Sequence, residues 1–313
     1  MITPVSTPQS RLLDADRAGV TEEFSKNNWL LQNLPFDDVQ ASWSHGVGFA
    51  YTYKRESTDV VANTRVIGGD YPASTAEVSN HTVLLSALGE DYGIDTLLDG
   101  QDAGAQIDYQ IREATKVVAA KFSDLLVNGD SANDGEFDGI LKSIANTTNT
   151  VSGATIDLTA MNTQAAAQAF LLQLDNVLSL VREHDKLAIL TNRVGMLQIK
   201  RATTLASVTS SADVRGSAPI PAYAGVPIVN LGAKSGSNND IVATVAGTSD
   251  FIVVGLGKDA FHCIYPTCQP LFEVTTPNFD TTDSVAYGRV EMVAAGVLKN
   301  SKGAAVLKSV KIA

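Results

Sequence analysis

Cysteine is scarce in this chain of 313 residues, which contains only Cys263 and Cys268. Two cysteines give no disulfide framework, and such low usage suits a reducing cytoplasm. A tetrahedral zinc site needs about four nitrogen or sulfur ligands, and the neighbouring His262 adds only one. We therefore expect no metal site here, and we expect both cysteines to be small, buried apolar side chains.

Long runs of basic or apolar residues are also missing. The net charge is −11, the estimated pI is 4.8, and Lys and Arg form no cluster. An acidic surface repels nucleic acid, so direct binding of DNA or RNA is not expected. No apolar run approaches the roughly 18 residues of a membrane span, and residues 1–30 lack a secretion signal. The sequence therefore predicts neither membrane insertion nor secretion.

The common catalytic motifs are absent from the sequence. It has no phosphate loop, no Gly-x-Ser-x-Gly elbow, no His-Glu-x-x-His and no complete dinucleotide fingerprint. The histidines are scattered without a partner pattern, at His45, His81, His184 and His262. We therefore expect no catalytic, cofactor-binding or metal-binding residues, and no enzymatic activity.

Two acidic segments could suggest a cation site. Glu90, Asp91 and Asp95 precede a short predicted helical turn, where carboxylates commonly cap the helix and are solvated. The loop at 130–136 lacks the alternating ligands and the terminal Glu of an EF-hand. We expect solvated or capping carboxylates in both segments, and no bound metal.

The most regular pattern lies in residues 102–127. Its apolar residues recur at spacings of three and four, which predicts a helix with one buried stripe. They are Ile107, Ile111, Ala114, Val118, Phe122 and Leu125. Asp102 is a candidate N-cap, and Gly129 is expected to end the helix in the left-handed conformation. At about 1.5 Å per residue the helix would be roughly 39 Å long, which is typical of a spine around which a domain packs.

The end of this predicted helix resembles a known family. Two leucines and a Gly-Asp pair, a short polar loop, and Phe-x-Gly-Ile-Leu resemble the spine-helix exit of bacteriophage major capsid proteins with the Hong Kong 97 fold. The matching residues are Leu125, Leu126, Gly129, Asp130, Phe137, Gly139, Ile140 and Leu141. The segments before and after this motif follow the family's order, and together they cover nearly the whole chain.

The resemblance implies an α+β fold of Hong Kong 97 type. Its parts would be an N-terminal arm, an extended loop, a peripheral domain around the spine helix, and an axial domain. The implied segments are 1–40 for the arm, 41–82 for the extended-loop hairpin, 83–145 for the peripheral domain, 146–274 for the axial domain, and 275–313 for strands that return to the peripheral domain.

Residue patterns outside the helix agree with that order. Phe49, Tyr51 and Tyr53 alternate with smaller or polar residues, which predicts a hairpin strand before a polar tip at 56–72. Thr163 is expected to start a second amphipathic helix, and Thr191-Asn192-Arg193 to cap a third. Short apolar runs predict strands at 186–190, 225–229, 251–255 and 284–298.

The arm and the hairpin are the segments expected to contact other subunits. Residues 1–40 have few apolar anchors, so we expect the arm to lie on another surface, with packing on its own subunit as the alternative. The resemblance implies that the hairpin overlaps a neighbouring subunit. Some relatives link a Lys of this loop to a neighbour's Asn. Nothing at Lys54 or Arg55 indicates that chemistry, so we expect surface charges there.

The function implied by the resemblance is mechanical. The chain would assemble with itself into pentamers and hexamers of an icosahedral virion capsid, built in the host cytoplasm around double-stranded DNA. The implied partners are a portal, decoration proteins and a scaffold, the last expected as a separate chain because the arm begins near Met1. Two alternatives stay open: an encapsulin-type nanocompartment that encloses a cargo enzyme, and a soluble α+β enzyme.

Overall fold

The computed structural model describes residues 20–21, 23–24, 28–44, 48–58, 62–71, 77–98, 103–145, 147–182, 185–207, 211–212, 220–279 and 283–313. The helices with defined bounds in these ranges are α1 Trp29–Asn33, α2 Ala103–Asn128, α3 Ile140–Ser143, α4 Gln164–Leu180 and α5 Arg193–Leu205. Turns of 3-10 helix cover Thr96–Leu98 and Ser301–Gly303. No helix in the described part of the chain is long and apolar enough to cross a membrane.

The strands follow in chain order. They are β1 Phe36–Val39, β2 Ser42–Ser44, β3 Gly48–Thr58, β4 Glu77–Leu84, β5 Ser86–Asp95, β6 Thr150–Ser152, β7 Lys186–Thr191, β8 Ser211–Ala212, β9 Ile220–Tyr223, β10 Val226–Asn230, β11 Thr248–Leu256, β12 Phe261–Pro266, β13 Phe272–Thr275, β14 Val285–Leu298 and β15 Ala304–Lys311. β8 and most of β9 lie within 206–222, a stretch whose content of Ser, Ala, Gly and Pro predicts a loop.

One mixed sheet of twelve strands carries most of the fold. Its main path is β13-β14-β12-β11-β7-β10-β9-β8, and β1, β5, β6 and β15 pair beside it. β5 runs antiparallel to β14, from Ser86 opposite Ala294 to Asp95 opposite Val285. β15 runs antiparallel to β11, β6 is parallel to β15, and β1 is parallel to β12. The strands β2, β3 and β4 form a separate small sheet.

The sheet separates two hydrophobic cores. In β11, Ile252 and Val254 face the first core, which contains the buried side of α2. Phe251 and Val253 face the second core, which lies under α4 and α5. β7 and β15 alternate between the cores in the same way. Because both faces of these strands are buried, their sequences are continuous apolar runs and not alternating ones.

The long helix α2 has the predicted buried stripe. Ile111, Ala114, Val118, Phe122 and Leu125 are buried in the first core, and Ile107 is half-buried against it. The Phe122 ring is fully buried, and its centroid lies 6.0, 6.2 and 6.1 Å from three other phenylalanine ring centroids, those of Phe24, Phe36 and Phe137. The predicted cap Asp102 lies outside the described residues.

Gly129 follows the last residue of α2, but its expected left-handed conformation is wrong. Its φ is not positive. A Cβ at Gly129 would instead collide with the carbonyl oxygens of Phe137 and Leu125. The amide of Gly139 donates a hydrogen bond of 2.9 Å to the carbonyl of Gly129. Glycine is therefore required by a close crossing of two backbone segments, and not by the sign of φ.

Residues 28–39 pack on their own subunit. Leu30 and Leu31 are buried in the first core, and the side-chain amide of Asn28 donates a hydrogen bond of 2.8 Å to Ser123 Oγ on α2. β1 pairs with β12, with Phe36 opposite Cys263. The expectation that this part of the arm lies on another surface is wrong, because its apolar side chains complete the subunit's own core. Residues 1–19 of the predicted arm are outside the described residues.

Candidate assembly surfaces

The hairpin of β3 and β4 has two chemically different faces. Its pairs run from Ala50 opposite Leu84 to Thr58 opposite Glu77. On one face Tyr53 stacks against Tyr51 and His81, with ring centroids 6.3 and 5.9 Å apart. On the other face the hydroxyls of Thr52 and Thr82 are 2.9 Å apart. The period-two pattern in the sequence therefore gives one aromatic face and one polar face.

The base of the hairpin is fixed to the body of the subunit. The Tyr53 hydroxyl donates a hydrogen bond of 3.4 Å to the carbonyl of Leu298, at the end of β14. Burial raises the pKa of Tyr53. Burial also lowers the pKa of His81, and the nearby Arg55 cation lowers it further. Lys54 is exposed and has no ion pair among the described residues, as expected for a surface charge.

The tip of the hairpin is described at 62–71, and it exposes apolar side chains that the sequence analysis treated as part of a polar loop. Val66, Ile67 and Tyr71 are 82%, 100% and 64% exposed. The Arg65 guanidinium lies 5.2 Å from the centroid of the Tyr71 ring and donates to the carbonyl of Gly69 at 3.2 Å. The free energy falls when another surface covers exposed apolar groups of this size.

The carboxylates of the first acidic segment lie on β5, and Glu90 and Asp91 are exposed, as expected for solvated groups. Glu90 and Asp91 are inside the strand and do not precede a helical turn directly. Arg289 of β14 donates to both Asp91 oxygens, at 2.5 and 3.2 Å, and these bonds hold the pKa of Asp91 below its usual range. Asp95 does cap, because it accepts the Leu97 amide at 2.9 Å.

The loop after α2 is held by ion pairs. Asp130 lies 2.8 Å from the Lys142 amine, and Glu136 lies 3.2 Å from the Lys121 amine. The hydrogen bond from Lys142 is the main cause that lowers the pKa of Asp130. Asp130 and Glu136 are therefore paired with lysines of α3 and α2, and residues 131–135 form the exposed turn that the sequence predicted.

The residues around His262 do not assemble into a metal site. His262 is 2% exposed, and its Nδ1 has no hydrogen-bond partner among the described residues. Burial lowers the pKa of His262 to about 4, and the Lys299 cation adds to that shift. Cys263 is buried, which raises its thiol pKa, whereas Cys268 is exposed. The expectation of a buried side chain is therefore wrong for Cys268.

The described residues contain no group of three or more His, Cys, Asp or Glu side chains placed to hold a metal ion. His81 stacks on Tyr53 in the hairpin, and His262 is in β12. His45 and His184 lie outside the described residues. Among the described residues, the large apolar side chain with the greatest exposure is Ile67, at the tip of the hairpin.

The fold is shared with proteins that form shells. No protein-family model and no curated protein matches the sequence. An encapsulin in the holo-SrpI complex from Synechococcus elongatus is 16% identical, with a TM-score of 0.64 over 100% of this chain and 93% of that chain. The capsid protein of a native GTA particle is 16% identical, with a TM-score of 0.58 over 90% of this chain and 89% of that chain. A chain of Gordonia phage Cozz is 14% identical, with a TM-score of 0.53 over 90% of this chain and 86% of that chain.

These similarities confirm the α+β, Hong Kong 97-like fold that the sequence predicted. The match extends over most of each chain, so the fold is shared as a whole and not through one motif. Because the identities are 16% or lower, the likeness establishes the fold, and the function has to be argued from the surfaces of this chain.

Proposed function

We propose that this chain is the structural subunit of an icosahedral shell, and that it assembles with itself into pentamers and hexamers. The observation that carries the proposal is the hairpin of β3 and β4. The outer end of this hairpin carries side chains exposed by 64% or more, those of Val66, Ile67 and Tyr71. Contacts with a second copy would bury them, and each contact would be repeated around a closed shell.

The segments of the subunit have proposed roles within that shell. We propose that α2, in the first core, belongs to the peripheral domain of 83–145 and 275–313, and that α4 and α5, over the second core, belong to the axial domain of 146–274. Strands of 146–274, such as β7 and β11, contribute to both cores. β15 contributes to both, because Val306 faces the first core and Leu307 the second. A shared strand of this kind would couple the two domains mechanically.

A bacteriophage capsid around double-stranded DNA is the first candidate for the kind of shell. The net charge of −11 suits a subunit that encloses DNA without binding it through a basic surface. The fold shared with the Gordonia phage Cozz chain supports this candidate. The proposal includes assembly in the host cytoplasm, a portal, decoration proteins and a separate scaffold chain.

An encapsulin-type compartment around a cargo enzyme is the second candidate. It is favoured by the alignment of the Synechococcus encapsulin over the whole of this chain, with a TM-score of 0.64. The gene neighbourhood separates the two candidates. Terminase or portal genes beside this one favour a phage capsid, and a ferritin-like or peroxidase gene favours an encapsulin.

Negative-stain electron microscopy of the purified protein tests the proposal directly. We expect closed shells of uniform size from the native chain. Replacing residues 57–73 with a short Gly/Ser linker should leave a soluble subunit with nearly unchanged circular dichroism, and shells should no longer form. A compact monomer in solution scattering, with no shells in any condition, would favour a soluble enzyme and refute the proposal.

A point-variant control makes the same test more specific. The double variant Val66→Ser, Ile67→Ser removes only the apolar groups of the tip, and we expect it to reduce shell yield. Val245→Ser is the matched control, because Val245 is 67% exposed in a turn far along the chain. Equal loss of shells in both variants would show that the tip has no special part in assembly.

A further inference from the structure

Helix α5 has an exposed face that is basic, although the chain as a whole is acidic. Its 13 residues, Arg193–Leu205, include no Asp or Glu. The buried side contains Gly195, Ile199 and Ala202. The opposite side, called the basic face below, is exposed and has residues at spacings of three and four: Arg193, Leu197, Lys200, Arg201 and Thr204. The helix period thus brings Arg193 to the same side as Lys200 and Arg201.

The three cations of the basic face are not neutralised by the described part of the subunit. Arg193, Lys200 and Arg201 form no ion pair with any described residue. By contrast, α2 pairs each of its two lysines with a glutamate, at 2.7 and 3.2 Å. Arg193 also lies in the first turn of α5, where the helix dipole disfavours a positive charge. These cations are therefore available to a partner that brings negative charge.

Leu197 decides which kind of anionic partner the basic face suits. Its side chain is 55% exposed, and it lies between Arg193 and the two cations at the other end. The phosphates of a DNA backbone supply charge but no apolar group that would cover a leucine, and the net charge of −11 repels DNA. An acidic protein segment can supply both carboxylates and an apolar side chain. The distance along the helix axis from Arg193 to Arg201 is roughly 12 Å, so about two helical turns of a partner would cover it.

We propose that the basic face of α5 binds an acidic segment of a separate protein, with carboxylates facing the three cations and an apolar side chain covering Leu197. This inference goes beyond the proposed shell, because it gives the subunit a docking site for a second kind of protein. Complementary charge speeds association and favours one partner over others, and burial of Leu197 adds affinity. Salt should weaken the complex, because the cations are exposed and are screened by ions.

Fluorescence anisotropy of a labelled peptide tests the site on the full-length chain. The probe is a short amphipathic peptide with glutamates at the spacing of the three cations and a leucine at its centre. We expect the double variant Lys200→Glu, Arg201→Glu to weaken binding about tenfold or more, because reversal turns two modest attractions into repulsions. Leu197→Ser should weaken binding several-fold, because the leucine of the probe would lose its apolar contact.

Two controls separate the site from general effects of charge and folding. The matched variant Arg112→Glu, Arg182→Glu makes the same change of charge at two exposed residues outside α5 that form no ion pair with a described residue. It should change binding by about twofold or less, because distant exposed charges are screened. The variant Lys200→Gln, Arg201→Gln places no acidic side chain near the C-terminal end of the helix, and it should also lose most of the binding. A probe with lysines in place of the glutamates should bind the Lys200→Glu, Arg201→Glu variant more tightly than the native chain.

Several results would overturn the inference. They are no binding of the glutamate probe by the native chain, equal losses in the matched variant, or tighter binding of a DNA duplex of similar length. Loss of shells in the variant Lys200→Glu, Arg201→Glu without a change in peptide binding would mean that the basic face contacts a second copy, which also overturns it. If the native chain binds the probe through α5 but forms no shells, the proposed function fails and this inference stands. If shells form and the probe does not bind, the inference fails and the proposed function stands.

Discussion

Phe122 is the residue whose truncation tests the packing of α2 most directly. Its side chain has no exposed area, and it is surrounded by the rings of Phe24, Phe36 and Phe137. These rings come from three other parts of the chain: the segment before α1, β1, and the loop after α2. Phe122→Ala would therefore leave a cavity where four segments of the first core meet.

The expected loss can be worked out from these contacts. Truncating a fully buried Phe to Ala costs about 3–5 kcal/mol, because transfer free energy is lost and the cavity collapses only in part. The loss at Phe122 should lie toward the upper end of this range because its ring has three aromatic neighbours. Each aromatic pair adds about 0.5–1.5 kcal/mol beyond burial. Domains are stable by about 5–15 kcal/mol, so this variant should lose a large part of its stability. Phe122→Asp should be worse, because it buries an unpaired charge.

Urea denaturation of the unassembled subunit, followed by circular dichroism, measures this loss. Working below the assembly concentration matters, because association would add its own stabilisation. Tyr109→Ala is the matched control: Tyr109 is also an aromatic residue of α2, but it is 58% exposed. We expect the control to change the free energy of unfolding by about 0.5 kcal/mol or less. Equal, small losses in both variants would refute the assignment of the buried face.

Three further changes test other parts of the structure. Gly129→Ala should lower the melting temperature by several degrees, because its Cβ would meet the carbonyl oxygens of Phe137 and Leu125; an unchanged melting temperature would disprove the backbone crossing. Asn192→Ala should cost about 2–3 kcal/mol in urea denaturation, because Asn192 caps α5 and its buried amide donates to Val242 and Ser249. Burial lowers the pKa of folded His262 to about 4, against about 6.5 when unfolded, so the unfolded state binds more protons between these values. The free energy of unfolding should therefore fall by up to about 3 kcal/mol as pH falls from 6.5 to 4, and the variant His262→Gln should lack this part of the dependence.

Local patterns were sufficient wherever a structure is made by residues close in sequence. The stripe on α2 needs only side chains three and four residues apart, and the helix was predicted within one residue of each observed end. The cap Thr163 accepts the Ala166 amide at 3.3 Å, and the cap Asn192 accepts the Gly195 amide at 2.7 Å. β14 also lies where its apolar run placed it. In these elements the interaction partners are neighbours along the chain, so the sequence shows them directly.

The candidate surfaces were predicted only in outline. The hairpin was found from the alternation of Phe49, Tyr51 and Tyr53, but the exposure of Val66 and Ile67 was not. A few apolar residues between polar ones give no periodic signal, and only the coordinates show that their own chain leaves them uncovered. The sequence also did not show that, among the described residues, β5 pairs with β14 alone, because strand pairing is a property of the whole sheet.

Tertiary structure decided what depends on residues far apart in the chain. Gly129 is needed because the segment at Phe137 to Gly139 crosses it, which no local rule for helix ends contains. Asp91 is paired by Arg289, almost 200 residues later, because β5 and β14 are neighbours in the sheet. Residues 28–39 complete the first core because α2 and β12 offer apolar surface that the subunit itself must cover. The sequence by itself thus determined the three long helices and several of the longer strands. The partners of each element were settled by long-range packing, because burial stabilises contacts without regard to separation along the chain.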